Sequence, residues 1–249
     1  MAEHLVYTEN VGGSRPSPPT IARDWVRSAI IALIAAALSW GAFSGRSYAA
    51  DSEMTFRLAT LAGGRCGAAC PQVIVAEGII EEGTPEAFIA FAKTAAVEAR
   101  LRGIILLNSP GGRVVASMQL GAVFRKLHVA VAVARYEKLG ELSGPTAGRC
   151  MSACVYALMG GAKRIVPPES QVGIHRMSTV DYGQTQPHQP SAPIVAYADD
   201  EMVSALARYA ANMGVNPKLI RTAETISPDD IRILSPSEMR RWRLATAQF

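Results

Sequence analysis

This 249-residue chain has no basic run, no interleaving of basic and aromatic residues, and no internal repeat. The first two absences leave nucleic acid unsupported as a partner, because a phosphate backbone is held by clustered Lys and Arg. The formal charge of +4 is instead spread along the sequence. Cysteine is scarce: Cys66, Cys70, Cys150 and Cys154 form two C-x3-C pairs. Neither pair has the C-x2-C spacing of a zinc knuckle, and no ligand-type residue stands near them, so no metal site is expected. Nothing in the chain points to a bound cofactor. An even cysteine count in an exported domain favours disulfides. Three connectivities stay open. A bond within Cys150–Cys154 would strain a regular helix, and pairing between the two segments is at least as plausible.

Long hydrophobic runs are equally rare. The single one is "SAIIALIAAALSWGAFSG", residues 28–45, preceded by Arg15, Arg23 and Arg27 and followed by "RSYAAD". Ser47 and Ala49 occupy the −3 and −1 positions of a cut after Ala49, the pattern of a secretory signal. The run is also just long enough to span a bilayer, so an uncleaved anchor remains open. The positive charges before it keep the N-terminus cytoplasmic. The chain therefore divides into an n-region over 1–27, a signal peptide or membrane-anchoring apolar helix over 28–49, and one exported domain over 50–249. The expected location is the periplasm or the periplasmic face of the inner membrane.

Within that domain, strand and helix patterns alternate. "PQVIVAEGII" reads as a buried strand. "TPEAFIAFAKTAAVEARLRG" reads as a helix, with Thr84 at its N-cap, Pro85 at N1 and Gly103 closing it. "IILL" and "VAVAVA" are continuous apolar strands, separated by the turn "NSPGG" and the helix "RVVASMQLGAVFRKL". "RYEKLGELSGPTAGR" reads as a polar loop and "CMSACVYALMGG" as a short helix. "RIV" and "QVGIH" are short strands, and "MSTVDYGQTQPHQPSAP" is a surface loop. A long helix has Val195, Ala198, Met202, Ala205, Leu206, Tyr209 and Met213 on one face and ends at Gly214. Short helices close the chain. The alternation predicts an α/β domain of parallel strands.

Candidate chemistry centres on Ser152, set between Cys150 and Cys154. Taken alone, a serine among small residues is ordinary helix packing. "LNSPGG" shifts the balance. It follows a buried strand and precedes a helix, and its glycines can aim backbone N–H groups at a ligand, as an oxyanion hole requires. Of the three histidines after residue 50, His128 follows "FRKL" at the surface and His188 lies in the Pro/Gln stretch. His175 ends a short apolar strand, at the sheet edge where α/β sites collect. The small Ala153 and Gly148 beside Ser152 leave room for a substrate carbonyl.

In order and spacing, "NSPGG", "GRCMSAC…GGAKRIVPPESQVGIHR" and "LSPSEMRR" resemble the proteolytic subunit of the Clp protease and the wider ClpP/crotonase-like superfamily. The resemblance runs from about Val73 to Leu244. It implies Ser152 as nucleophile, His175 as general base, and the N–H groups of Gly112 and Ala153 as oxyanion-hole donors. It implies Asp230 as the triad acid, with Asp229 second; the spacing to "LS" differs from the family's by about one residue. Ala153 stands where the family has methionine, the 135–149 loop is longer, and the flanking cysteines are foreign to Clp subunits. The ring-joining glycine-rich pattern after the histidine is missing, so a tetradecameric barrel is not implied, although homo-oligomerisation stays open. Cys154 as a thiolate nucleophile and Lys163 as a dyad base rank below the Ser152–His175 pair.

The expected function is that of an exported serine hydrolase acting on a peptide or protein substrate, held at the membrane if the apolar segment is uncleaved. The alternative is a non-catalytic ClpP-like binding or assembly module in the cell envelope. Acyl-thioester chemistry of the crotonase type is third, since no CoA-binding pattern is present.

Overall fold

A computed structural model describes residues 52–61, 70–98, 101–138, 143–181 and 194–246. The apolar segment expected over 28–49, Cys66 and His188 lie outside the described residues. No helix among the described residues is long and apolar enough to cross a membrane.

The domain from Asp51 is mixed α/β, built on a twisted sheet of parallel strands with antiparallel edges. Its strands are β1 (Thr55–Thr60), β2 (Gln72–Glu77), β3 (Leu101–Asn108), β4 (Ala130–Glu137), β5 (Gly144–Ala147) and β7 (Lys163–Ile165). The parallel set is β2–β3–β4–β7, with β1 antiparallel on β2 and β5 antiparallel on β4. The connecting helices are α1 (Thr84–Glu98) and α2 (Val114–Lys126). A second sheet joins β6 (Arg149–Met151), β8 (Gln171–Ile174) and β11 (Arg232–Ile233), with β6 parallel to β8. A ribbon pairs β9 (Ser178–Asp181) with β10 (Ile194–Tyr197). The remaining helices are α3 (Cys154–Met159), α4 (Asp200–Asn212), α5 (Lys218–Ala223) and α6 (Pro236–Arg241).

Strand periodicity divides the core. Ile74, Ile105, Leu107, Val131 and Val133 face the main core under the helices, while Val73, Val75, Leu106, Ala132 and Ala134 pack on the opposite face. This alternation follows from side chains pointing to opposite faces at successive residues. On the helical side Phe88 stands edge-on to Phe124 at 5.0 Å and to Phe56 at 5.3 Å. Helices α2 and α3 meet through glycines. A Cβ on Gly160 would lie 1.9 Å from the Gly121 carbonyl oxygen, and one on Gly121 would lie 2.6 Å from that of Tyr156. Only glycine allows backbones this close.

Several expectations are corrected. The sheet is mixed, because β1, which the alternation did not reveal, and β5 are antiparallel. Gly103 lies inside β3, and α1 ends at Glu98. The 135–149 stretch is largely strand: β4 runs on to Glu137 and pairs antiparallel with β5. Val195 belongs to β10, so the long helix starts at Asp200, capped by the Asp199 side chain accepting from Met202 N. Local pattern missed these because antiparallel edge pairing is a tertiary choice.

The cysteine argument is also corrected. Cys150 sits in β6 and Cys154 opens α3, so the pair does not occupy successive turns of one helix. With the chain bent between them, their Cα atoms are 5.3 Å apart and the two are disulfide-bonded. Cys70 is disulfide-bonded as well. Cys154 is therefore no thiolate.

Arg164, 4% exposed, ties the end of the domain to β7. Its guanidinium donates to the carbonyls of Leu244, Gly161 and Arg243, and its N–H and C=O groups bond Thr246. Burial, with Arg125 and Arg243 adding repulsion, lowers its pKa to about 10.

Candidate active site

Strand β3 ends at Asn108, and the chain turns through Ser109–Gly112 into α2. Gly111 has φ +117° and Gly112 φ +136°, which side-chain-bearing residues rarely adopt. The turn is stitched to the segment after β2 and to β6. Ile80 N donates to the Gly111 carbonyl at 2.8 Å, Arg113 N to the Ile80 carbonyl at 2.7 Å, and Met151 N to that of Ser109 at 3.0 Å. A Cβ on Gly112 would fall 2.1 Å from the Ile80 carbonyl oxygen. The "GG" of the sequence is thus demanded by conformation and space together.

Ser152 lies at the bend between β6 and α3. Its φ is +55°, unusual for a residue with a Cβ, and its N–H donates to the Gly173 carbonyl of β8 at 2.9 Å. Such a left-handed serine costs on the order of 1–3 kcal/mol and persists only where its surroundings hold it. Here β8, the glycine turn and the Cys150–Cys154 bond hold it. Among the described residues, the N–H groups of Gly112 and Ala153 donate to no backbone acceptor.

His175 follows β8 directly and lines the same cavity as Ser152 and Ala153. The other walls include Val114, Val155, Tyr156, Ile174, Met177 and Leu219. The Nδ1 of His175 is buried without a hydrogen-bond partner. Among the described residues no hydrogen bond joins Ser152 Oγ to His175, and in an unliganded site such bonds are often open. Asp229 and Asp230 are exposed. Asp230 N closes a turn onto the Ser227 carbonyl at 3.1 Å, and no hydrogen bond or ion pair joins either carboxylate to His175 among the described residues. Lys163 is exposed at the start of β7 and does not line this cavity. His128 is exposed in a turn, with φ +54°.

Sequence reasoning missed Glu224. It follows α5, and its side chain is 13% exposed. One oxygen, Oε1, accepts the Met177 N–H at 3.2 Å, two residues beyond His175. The other, Oε2, is buried without a hydrogen-bond partner and lies 4.0 Å from Arg176 Nε. Arg176 in turn stacks its guanidinium on the Tyr197 ring at 3.8 Å. Glu224 also reaches the cavity wall electrostatically. Burial pushes the Tyr156 phenol well above its ordinary range, and the Glu224 charge pushes it further. Nothing in "RTAETISPDD" separates Glu224 from its neighbours; only the docking of α5 beside His175 does.

Gly148 has a different role from the one its position suggests. A Cβ there would stand 2.7 Å from the backbone of Ala134, so its smallness serves the approach of β4. Ala153 is likewise core, at 1% exposure.

No protein-family model and no curated relative matches the chain. Among solved structures, the chain is similar to two variants of the 1510-N membrane-bound stomatin-specific protease. One is a serine-to-alanine variant, with TM-score 0.45 and 20% identity over 69% of this chain and 75% of that one. The other is a lysine-to-alanine variant in complex with a substrate peptide, with TM-score 0.45 and 20% identity over 69% of this chain and 71% of that one.

Proposed function

We propose that the chain is a ClpP-like serine hydrolase acting on peptides, with Ser152 as nucleophile and His175 as base. The carrying observation is that Ser152, held left-handed, shares one cavity with His175 and Ala153. In this reading His175 takes the Ser152 proton as Oγ bonds to the scissile carbonyl carbon. The carbonyl oxygen becomes an oxyanion that accepts from Gly112 N–H and Ala153 N–H. The C–N bond then breaks, His175 returns the proton to the leaving amine, and water releases the acyl group by the reverse sequence. Glu224 rather than Asp230 is the carboxylate assigned to orient His175 Nδ1, because it is buried against the same segment, Oε1 accepting from Met177 N–H and Oε2 lying 4.0 Å from Arg176 Nε.

The same reading places the domain outside the cytoplasm. The disulfides suit an oxidising compartment, and the 28–49 segment supplies export or anchoring. The second reading is a non-catalytic peptide-binding module, favoured by the missing Ser152–His175 hydrogen bond. A fluorophosphonate probe on the purified chain decides between them. Labelling that disappears in Ser152→Ala, with the fold retained, supports the hydrolase. An unlabelled wild type supports the binding module.

A further inference from the structure

Two cavities meet at Val114 and Met177. The one against Ser152 and His175 offers about 20 Å³. The other, of about 690 Å³, lies between the first turn of α1 and the first two turns of α2, bordered by Glu82, Glu86, Arg113 and Gln119, and extends to Thr179 of β9. From this contrast we infer that the site takes peptides with a small residue, Gly, Ala or Ser, at the acyl side of the scissile bond, and that the neighbouring residues of the substrate lie in the larger groove. The inference rests on the hydrolase reading and names its substrate class.

A space of about 20 Å³ exceeds what one water needs by little, and a methyl group is close to water in size. A leucine or phenylalanine side chain would have to displace the walls. Those walls are stiff. Val155 is 2% exposed, Ile174 3%, Leu219 1% and Ala223 4%, and all four belong to the main core. Core of this density resists extra methylenes and does not open for them. Binding energy must then come from elsewhere, and the groove beyond Val114 and Met177 has the volume for several residues. Remote contacts of this kind raise turnover when they position the scissile carbonyl. Short substrates should therefore be poor even with the right acyl residue.

The test uses peptidyl phosphonates on the full chain, identical except for Ala, Leu or Phe at the reacting residue, with a small fluorophosphonate as reference. The Ala reagent should inactivate at least about tenfold faster than Leu or Phe, the discrimination a few methylenes give in a closed apolar pocket. Met177→Ala, at a half-buried wall shared by both cavities, should narrow that ratio by speeding the Leu reagent. Val114→Ala provides the same readout should Met177→Ala fold poorly. Equal or faster reaction with Phe, while the small probe still labels Ser152, overturns the inference and leaves the hydrolase standing. Failure of the small probe to label Ser152 overturns both.

Discussion

Gly111 packs directly against Ser152: a Cβ on Gly111 would lie 2.9 Å from the Ser152 Cβ and 2.8 Å from the Met151 carbonyl oxygen. The glycine turn after β3 therefore forms one wall of the serine bend. Gly111→Ala should combine a disfavoured φ with a clash against backbone, costing about 2 kcal/mol or more of stability. Urea denaturation reads the loss, and fluorophosphonate labelling should fall with it. A variant as stable and as reactive as wild type would show that the two turns are not coupled.

Glu224→Gln and Asp230→Asn separate the two candidate carboxylates. Removing the charge that orients a catalytic histidine lowers kcat by up to about 10⁴ in the well-studied serine proteases. Glu224→Gln should lower kcat by a hundredfold or more on the order expected from that precedent, with KM little changed. Asp230→Asn, on an exposed turn, should leave both constants near wild type. The opposite pattern would restore Asp230 as the acid, and two silent variants would leave a Ser–His dyad. If Glu224 served only Arg176, Arg176→Met would reproduce the Glu224→Gln phenotype.

The disulfide between Cys150 and Cys154 closes a very short loop. A loop of this length removes little entropy from the unfolded chain, about 2 kcal/mol in the chain-entropy account. The double variant Cys150→Ala, Cys154→Ala should therefore fold, with a lower urea midpoint that corresponds to a loss of about 2 kcal/mol. An unchanged midpoint would show that β6 and α3 hold the bend without the bond. Thiol titration of the denatured, unreduced protein should find none free, since no cysteine is free among the described residues.

Acid sensitivity has one traceable source at α6. Glu238 completes a capping box with Ser235, its Oε2 accepting from Ser235 N at 3.0 Å, and pairs with Arg232. The hydrogen bonds from the Ser235 backbone and side chain, ahead of the Arg232 charge, hold its carboxyl below the usual range. A depressed folded-state pKa means that the unfolded chain binds the proton more readily. The stabilisation is thus complete above the ordinary carboxylate range and is lost as pH falls through the folded value. Ser235→Ala should flatten the acid side of a Tm-against-pH curve and leave the neutral side only slightly lower. A steeper acid limb would contradict this assignment.

Much of the scaffold is legible in the sequence for a local reason. Val73–Ala76, Ile104–Leu107 and Val131–Ala134 are apolar at every position, as strands covered on both faces must be. The "GG" at 111–112 is legible because positive φ and close backbone approach narrow the choice of residues, whereas the bend at Ser152 is not, since "CMSACVYALMGG" reads as one short helix. Thr55–Thr60 was invisible because "TFRLAT" carries only an antiparallel edge pattern, half exposed. Glu224 was invisible for another reason. Its relation to His175 runs through the Met177 N–H and the packing of Leu219 and Ala223, none of which is encoded within a few residues of it. Cys150 and Cys154 misled because spacing was judged against a helix that begins only at Cys154.

The glycine crossing of α2 and α3 gives the site a one-sided compliance. The Ser152 half is tightly held: α3 lies backbone to backbone on α2 at Gly160 and Gly121, a disulfide joins β6 to the start of α3, and Ser152 N is fixed to Gly173. The His175 half is hung on fewer ties, Arg176 N to the Ile226 carbonyl at 3.0 Å and Met177 N to Glu224 at 3.2 Å, both reaching a segment beyond α5. Any adjustment that brings imidazole and hydroxyl together must then be a movement of the His175 side chain and its 175–177 segment over a fixed α5 wall, with Ser152 acting as the stationary reference.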